Sequence, residues 1–366
     1  MESEHSAGDP LPATYRACIY SKPGEIAIEI KDDVAMPVPG PGEVLVQLTH
    51  SGLCHSDLAV MMNSWKALPY PTQPGQIGGH EGVGSIVKLG TGSEKYRKLG
   101  ERVGIKWTAY ACGTCRSCLS GYETACSGGR KISGYYTPGT LAQYCLAPAT
   151  YVTPIPDALE SSAAAPMLCA GLTAYAALRK ANVESGSSVA VLGAGGGLGH
   201  LAVQIAARGM GLRVIGIDHS SKKDLVLECG AEHFVGFDTV DDTVSAVKAL
   251  SIDNGVNVAL VVAGNNRAYG QALSMLAHHG KLVCVGMPEG EPVNLEGAAP
   301  STIIAKELSI VGSSVGNRID AVQVLEMAAR GLVRPHCRIE KMDKLQDLFT
   351  ELAGGQVQGR LVVDLS

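Results

Sequence analysis

A run of glycines between an apolar strand and a helix constrains the fold of this chain more than any other feature. Residues 188–192 (SVAVL) have the continuous apolar character of a strand buried in a parallel sheet. From Leu198 to about Arg208 the apolar residues recur at helical spacing. Glycines between such elements let the backbone turn tightly and approach a pyrophosphate at the helix N-terminus. The sequence therefore predicts a dinucleotide-binding βαβ unit, with cofactor contacts from Gly193, Gly195, Gly196, Gly197, Leu198 and Gly199.

An acidic residue ends the next predicted strand, at residues 212–217. A carboxylate at Asp218 is placed to accept hydrogen bonds from an adenosine ribose and to repel the 2′-phosphate of NADP. The predicted cofactor is therefore NAD, and Lys223 is included among its predicted contacts. The alternative is a glycine-rich turn in some other α/β sheet, with Asp218 as a helix cap.

The pattern of strands and helices changes along the chain. Residues 1 to about 15 have the composition of a loose tail, and short β-branched runs broken by Gly and Pro follow as far as residue 153. Beyond residue 160 strands alternate with helices, which is typical of a parallel sheet. We predict an α/β fold in which a doubly wound, Rossmann-type domain (169–305) is combined with a discontinuous β-rich domain (1–168 and 306–366).

Composition and charge argue against some classes of binding partner. The chain has 366 residues and a net charge of −5, without basic blocks, so nucleic acid and anionic membranes are not expected partners. No stretch reaches the roughly 20 uninterrupted apolar residues of a membrane helix, and the polar start is unlike a secretory signal. We expect a cytoplasmic protein with a small-molecule substrate.

Four cysteines crowd into one short segment, spaced C-x₂-C-x₂-C-x₇-C. Four thiolates at this spacing can close a tetrahedral shell around Zn²⁺ and leave no position for a substrate. Free buried cysteines are the alternative, but the residues between the first three cysteines are small or polar: Gly113, Thr114, Arg116 and Ser117. The prediction is a structural zinc held by Cys112, Cys115, Cys118 and Cys126.

Several ordered segments resemble the zinc-dependent medium-chain alcohol dehydrogenases, most closely their yeast and fungal branch. The segments are CHSD at 54–57, GGHEGVG at 78–84, the four-cysteine loop, LCAGLTAY at 168–175, GAGGGLG at 193–199, LVCVGMP at 282–288, IVGSSVGNR at 310–318 and GRLVVD at 359–364. The resemblance extends from about Tyr15 to Leu365. It implies a GroES-like catalytic domain and hydride transfer between an alcohol or aldehyde and NAD(H).

The resemblance also implies roles for single residues. Cys54, His80 and Cys169 would hold a catalytic zinc with a fourth position open, and Asp57 would orient the His80 ring. Glu81 would lie behind the metal, and Ser56 would hydrogen-bond the substrate oxygen. The remaining implied contacts are His55 and Arg360 at the pyrophosphate, and Val285 and Met287 beside the nicotinamide and substrate.

Two positions depart from the family pattern. Ala59 stands where yeast-type relatives have a His that ends a proton relay, and Met61 stands where a pocket Trp is common. Trp65 and Trp107 match aromatic pocket positions. We expect that Ala59 and Met61 together open room for a substrate larger than ethanol, and that the proton leaves by another route.

Alternatives within and outside the family remain at this stage. A relative acting on a bulkier carbonyl, such as a fungal secondary-metabolite intermediate, shares all the motifs. A non-catalytic nucleotide-binding protein that kept only its structural zinc is a remote alternative, which the intact set Cys54, His80, Cys169 and Ser56 disfavours. By analogy with the family we expect a homotetramer, or otherwise a dimer.

Overall fold

The computed structural model describes residues 10–66, 68–355 and 357–366. Its strands, in chain order, are β1 (Thr14–Tyr20), β2 (Ile28–Ala35), β3 (Glu43–Leu53), β4 (Gln76–Ile77), β5 (Gly82–Leu89), β6 (Arg102–Ile105), β7 (Thr108–Tyr110), β8 (Lys131–Ile132), β9 (Tyr144–Pro148), β10 (Thr153–Pro154), β11 (Ser188–Leu192), β12 (Arg213–Asp218), β13 (His233–Gly236), β14 (Val256–Val261), β15 (Leu276–Cys284), β16 (Ser309–Gly312), β17 (Cys337–Lys341) and β18 (Arg360–Asp364).

The α-helices alternate with the strands mainly in the second half of the chain. They are α1 (His55–Met62), α2 (Arg116–Leu119), α3 (Ser161–Pro166), α4 (Leu172–Ala181), α5 (Gly199–Gln204), α6 (Lys223–Glu228), α7 (Thr243–Leu250), α8 (Asn266–Met275), α9 (Pro300–Lys306), α10 (Arg318–Ala329) and α11 (Leu345–Ala353). Two π-helical turns, Met167–Gly171 and Ile205–Gly209, continue α3 into α4 and extend α5.

A six-stranded parallel sheet forms the nucleotide-binding type of domain. Its strand order is β13-β12-β11-β14-β15-β16, and every neighbouring pair is parallel. This is the strand order of a doubly wound Rossmann sheet, as the sequence predicts. The predicted boundary at residue 305 is too early, because β16 still pairs with β15 in this sheet. The alternation is hard to see there because β16 closely follows the short, exposed helix α9.

The other strands build the β-rich domain, and its largest sheet has the order β10-β6-β5-β3-β18-β17, with β9 also paired to β3. Strand β18 lies antiparallel to β3, so the end of the chain returns to the first domain. The loose tail predicted for residues 1 to about 15 ends slightly earlier in the structure, because Thr14 and Tyr15 already pair with β2. Residues 1–9 of that tail lie outside the described residues.

One helical stretch, Ser161–Ala181, joins the two domains. By length and composition alone it could cross a membrane, but 78% of its most apolar window is buried inside the protein. It consists of α3, a π-helical turn and α4, and it packs against α10 and the large β-rich sheet. The stretch therefore carries residues from the shared core to the junction between the domains.

Candidate active site

A cleft of about 810 Å³ runs between the carboxyl ends of the parallel strands and the β-rich domain. Ligand sites of doubly wound sheets lie at this edge, and the volume falls within the range of cofactor pockets. One wall carries the glycine turn and Asp218, and the opposite wall carries Leu53, Cys54 and His55. The cleft is therefore placed and sized for a dinucleotide.

The glycine turn brings the backbone close to itself at the start of α5. Gly193 has φ +89°, in the left-handed region that favours glycine. A side chain at Gly199 would place its Cβ 1.9 Å from the Gly193 carbonyl oxygen, so this position also requires glycine. Asp218 ends β12 on the same wall, and its Oδ2 accepts a 2.8 Å hydrogen bond from the Gly195 N–H. The carboxylate thus fixes the turn in addition to lining the cleft.

Three of the predicted cofactor contacts, Lys223, Val285 and Met287, do not line the cleft. Lys222, and not Lys223, lines the cleft, with Nζ 3.8 Å from Asp218 Oδ1. Lys223 is exposed because it is the next residue round the start of α6. Val285 and Met287 follow β15 at the correct edge of the sheet, but neither lines the cleft, and Met287 is 46% exposed.

A second cluster lies at the inner end of the cleft, where Cys54 lines the wall. One donor atom from each of Cys54, His80, Glu81 and Cys169 lies within 4.8 Å of the others, and all four residues are buried. They come from three places: the N-cap of α1, the turn between β4 and β5, and the π-helical turn Met167–Gly171. Long-range folding therefore assembles the ligand set that the resemblance implies.

Asp57 connects two of these segments. Its Oδ2 accepts the Cys54 N–H at 2.9 Å and so caps α1, while its Oδ1 lies 2.7 Å from His80 Nδ1. Burial lowers the pKa of His80, but Asp57 and, to a smaller extent, Cys54 together raise it well above its ordinary value. The contact directs His80 Nε2 towards the cluster, where it is buried without a hydrogen-bond partner.

These donors fit a zinc ion. An unpartnered imidazole nitrogen and two cysteines leave one position of a tetrahedral shell open, as catalytic zinc sites require. The hydrogen bond between the two thiols lowers the pKa of Cys54 and raises that of Cys169. A bound cation would compensate the charge of two thiolates in this buried place.

Glu81 and Arg360 form a buried ion pair behind the cluster. Arg360 is 4% exposed and contacts Glu81 Oε1 through its guanidinium. Burial raises the pKa of Glu81 to about 7, although the Arg360 charge acts in the opposite direction. A Cβ at Gly197 would meet the Arg360 guanidinium at 3.0 Å, so Arg360 links the cluster to the glycine turn.

The predicted structural zinc ligands, Cys112, Cys115, Cys118 and Cys126, form a separate cluster within the same 4.8 Å criterion. Backbone N–H groups point at the sulfurs: Cys112 and Gly128 donate to Cys126 Sγ at 3.3 Å, and Cys115 donates to Cys112 Sγ at 3.3 Å. Backbone hydrogen bonds from Cys118 and Ser127 lower the pKa of Cys115 to about 5. Four sulfurs this close together fit a closed zinc site, in which the cation would offset the burial that raises the pKa of Cys118 to about 12.

Ser56 lies beside the metal cluster, and His55 lies on the wall of the cleft. Ser56 Oγ is 3.6 Å from Cys54 Sγ. His55 lines the cleft, its side chain is 54% exposed, and its Nε2 lies 2.8 Å from Glu289 Oε1. Ser56 is therefore in contact with a predicted zinc ligand, and the neighbouring residue His55 is partly exposed at the cleft.

The expectation that Ala59 and Met61 open room for a larger substrate is wrong, whereas a proton route that avoids Ala59 stays a prediction. Both residues are fully buried, and neither lines the cleft, because they lie on the inner face of α1 towards the protein core. Ala59 therefore offers no path to solvent, and Met61 opens no room for substrate. Trp107 does stand beside the cluster, with its ring edge-on to His80 at 4.9 Å, and Trp65 packs edge-on against Trp107 at 6.1 Å.

Sequence reasoning missed several further residues that line the cleft. Asn265 caps α8 immediately after β14, and Arg267 follows it on the same wall. Phe237 and Thr243 lie beyond β13. The available signal was their position just after the carboxyl ends of parallel strands, where ligands bind.

Known proteins resemble the chain in both sequence and structure. The model of the alcohol dehydrogenase GroES-like domain matches residues 40–157, and that of the zinc-binding dehydrogenase matches residues 197–330. Alcohol dehydrogenase 2 of Emericella nidulans is 50% identical over 368 residues, covering 98% of this chain and all of that protein.

Solved structures share the whole architecture. The alcohol dehydrogenase of Aeropyrum pernix has a TM-score of 0.85 at 30% identity, covering 95% of this chain and 99% of its own. The acetophenone reductase of Geotrichum candidum, in complex with NAD, has a TM-score of 0.83 at 28% identity, covering 97% and 98% of the two chains.

Proposed function

The chain belongs to the zinc-dependent medium-chain alcohol dehydrogenase family, and from this premise we propose how its residues carry out the reaction. It is an enzyme that moves a hydride between an alcohol or aldehyde and NAD(H), with zinc as a cofactor. The observation that carries the assignment of residues is the buried Cys54–His80–Cys169 cluster at the inner end of a dinucleotide-sized cleft.

In this proposal Cys54, His80 and Cys169 hold the catalytic zinc, which when bound polarises the substrate oxygen as a Lewis acid. Asp57 fixes the orientation of His80 through the 2.7 Å contact to Nδ1. Ser56 accepts the proton of the substrate hydroxyl in a hydrogen bond, and the exposed His55 connects this end of the cleft to water. Arg360 neutralises Glu81 behind the cluster.

The cofactor is held by the opposite wall. The turn from Gly193 to Gly199 offers backbone N–H groups to the pyrophosphate, and Asp218 faces the adenosine ribose. NAD supplies the acceptor for the hydride. A charge of −1 at Asp218 disfavours the phosphate of NADP, which is the basis for the proposed preference.

A second candidate is a reductase for carbonyl compounds bulkier than acetaldehyde. It is supported by the similarity to an acetophenone reductase and by the aromatic pair Trp65 and Trp107 beside His80. Consumption of NADH with a panel from acetaldehyde to aryl ketones tests both. A higher kcat/KM for acetaldehyde than for every bulkier compound supports the simple alcohol dehydrogenase, and the reverse order supports the second candidate.

We also propose a homo-oligomer, a tetramer by family analogy. Strand β16 is an edge of the parallel sheet, Ile310 on it is 42% exposed, and Ile304 on the preceding helix is 74% exposed. Unpaired apolar edges invite pairing with another chain. Light scattering on the purified protein would give the mass, and Ile310→Lys should reduce it to a smaller species.

The proposed location is the cytoplasm. All eleven cysteines are free in the structure, as expected in a reducing compartment. Cell fractionation with antibody detection tests this, and recovery in an organelle or in the medium would contradict it.

A further inference from the structure

A carboxylate occupies an exposed hydrogen-bond donor on the wall of the cofactor cleft. Glu289 Oε1 lies 2.8 Å from His55 Nε2, and the two side chains are 44% and 54% exposed. A carboxylate oxygen can only accept, so His55 Nε2 carries the proton in this contact. His55 belongs to the β-rich domain, whereas Glu289 follows β15 of the parallel sheet, so the contact crosses the mouth of the cleft.

The backbone beside Glu289 is held in place on both sides. The Gly290 N–H donates to the Ser64 carbonyl oxygen at 3.2 Å, and Trp65 and Gly290 form a parallel β-bridge. On the other side, a Cβ at Gly264 would lie 3.2 Å from the Met287 carbonyl oxygen, so the segment packs closely on the end of β14. The Glu289 side chain therefore starts from a fixed backbone position.

The charges on the cleft walls are paired, but the pairs differ in mobility. Arg360 contacts Glu81, both almost completely buried, and Lys222 lies near Asp218, whose side chain is 9% exposed. Glu81 is fixed by burial, and Asp218 is fixed by burial and by hydrogen bonds from the backbone N–H groups of Gly195 and His219. Glu289, in contrast, is half exposed on a loop and has one hydrogen bond, to His55. Among these three acids, Glu289 is the one that can leave its partner with a small loss of free energy.

We propose that Glu289 competes with the cofactor phosphates for His55, which makes NAD(H) binding weaker and NAD(H) release faster. In the free protein the carboxylate accepts the His55 Nε2–H bond, and a pyrophosphate oxygen entering between His55 and the glycine turn must take that bond over. The displaced Glu289 carboxylate then lies near the negatively charged pyrophosphate and is repelled by it. The inference rests on the proposed function only in that NAD(H) binds in this cleft.

The experiment is a fluorescence titration of NADH with the zinc-loaded protein, together with stopped-flow displacement of bound NADH. Glu289→Gln should lower the Kd of NADH by about three- to tenfold and slow its release by a similar factor, since it removes an exposed pair and a nearby like charge. Glu291→Gln removes the same charge two residues along the loop, where the side chain is exposed. That control should change the Kd by less than about twofold, as expected for screened surface charges.

A double-mutant cycle separates competition from a structural effect. In a His55→Ala background Glu289→Gln should give little further gain, because the contested donor is gone. The inference is overturned if Glu289→Gln binds NADH as wild type does or more weakly, if Glu291→Gln has the same effect, or if the gain persists without His55. Wild-type protein that binds no NADH would instead refute the proposed cofactor site.

Discussion

Asp218 combines two roles that normally belong to separate residues. Its Oδ2 holds the Gly195 N–H and its Oδ1 accepts the His219 N–H at 2.8 Å, so the side chain fixes the turn while its carboxylate lines the cleft. The proposed preference for NAD over NADP therefore depends on a residue that also fixes the shape of the glycine turn.

Asp218→Gly should weaken NAD binding and relax the preference over NADP. The variant loses the hydrogen bonds that the ribose of NAD donates to the carboxylate, and it loses the repulsion of the 2′-phosphate of NADP. The ratio of kcat/KM with NADH to kcat/KM with NADPH should therefore fall by about ten- to a hundredfold. The ratio is measured with one aldehyde and both reduced cofactors. Asp238→Asn, at a neighbouring partly buried side chain, serves as the control. Equal use of NADPH by wild type would contradict the role of Asp218.

Lys106 is a buried amine outside the active site. It is 2% exposed, its Nζ donates to the Tyr151 carbonyl oxygen and to Thr153 Oγ1, and it lies 4.2 Å from the centre of the Tyr151 ring. Burial lowers the pKa of Lys106 to about 7. Nothing in the sequence marks this lysine, since its burial depends on strands β6 and β10 meeting far along the chain.

The titration of Lys106 predicts a pH dependence of stability. The unfolded chain keeps this proton up to about pH 10.4, whereas the folded chain releases it near 7, so the unfolded state binds more protons between these values. The free energy of unfolding should therefore rise with pH above 7, by at most about 1.4 kcal/mol per pH unit. Urea titrations at several pH values compare wild type with Lys106→Met, in which this increment should disappear. Parallel pH profiles for the two proteins would show that Lys106 is not the cause.

Among the elements, the four-cysteine segment depends on more than its sulfurs. Glu123, between Cys118 and Cys126, accepts from Tyr151 Oη at 2.8 Å and from Arg318 Nε at 2.7 Å, at the start of α10. The neighbouring cap residue Asn317 donates to the Gly121 carbonyl oxygen at 3.1 Å. A zinc ion in this segment would therefore stabilise its attachment to α10 as well as the loop itself.

Cys115→Ser should open this site and destabilise the protein. One zinc per chain should be lost, with a Tm lower by about 5 °C or more, because each kcal/mol of lost stability costs roughly 2–4 °C at 150–250 residues. Metal analysis and a thermal scan measure both. Cys284→Ser removes a partly buried thiol outside either cluster and is the matched control. A Cys115 variant with unchanged zinc content and Tm would contradict a structural zinc.

Local motifs were predictable, and features that depend on packing were not. The glycine turn and the four-cysteine loop are contiguous, so spacing alone identified their chemistry, and the alternation of strands and helices identified the parallel sheet. The substrate room predicted at Ala59 and Met61 is absent because both residues of helix α1 are fully buried. The choice of Lys223 over Lys222 failed by one residue, since the start of α6 could not be fixed from the sequence.

At the scale of the whole molecule, the two domains supply complementary halves of one site. The parallel sheet provides the glycine turn and Asp218, and the β-rich domain provides Cys54, His55 and His80. Strand β18, which follows the last helix, returns Arg360 to the junction and joins both halves through Glu81 and the turn at Gly197. A substitution in the metal cluster should therefore remove metal binding while the fold and the cofactor site stay intact.

The most direct test of the account measures metal content, NADH binding and turnover in wild type and in Cys169→Ser. Removing one of three ligands should abolish the catalytic zinc while the glycine turn, Asp218 and the four-cysteine segment stay intact. Wild type should contain two zinc ions per chain, and the variant should contain one, bind NADH within about threefold of wild type and lose activity by about 10³-fold or more. A variant that keeps near-normal turnover with one zinc, or an active wild type with a single zinc per chain, would contradict catalysis at the Cys54–His80–Cys169 cluster.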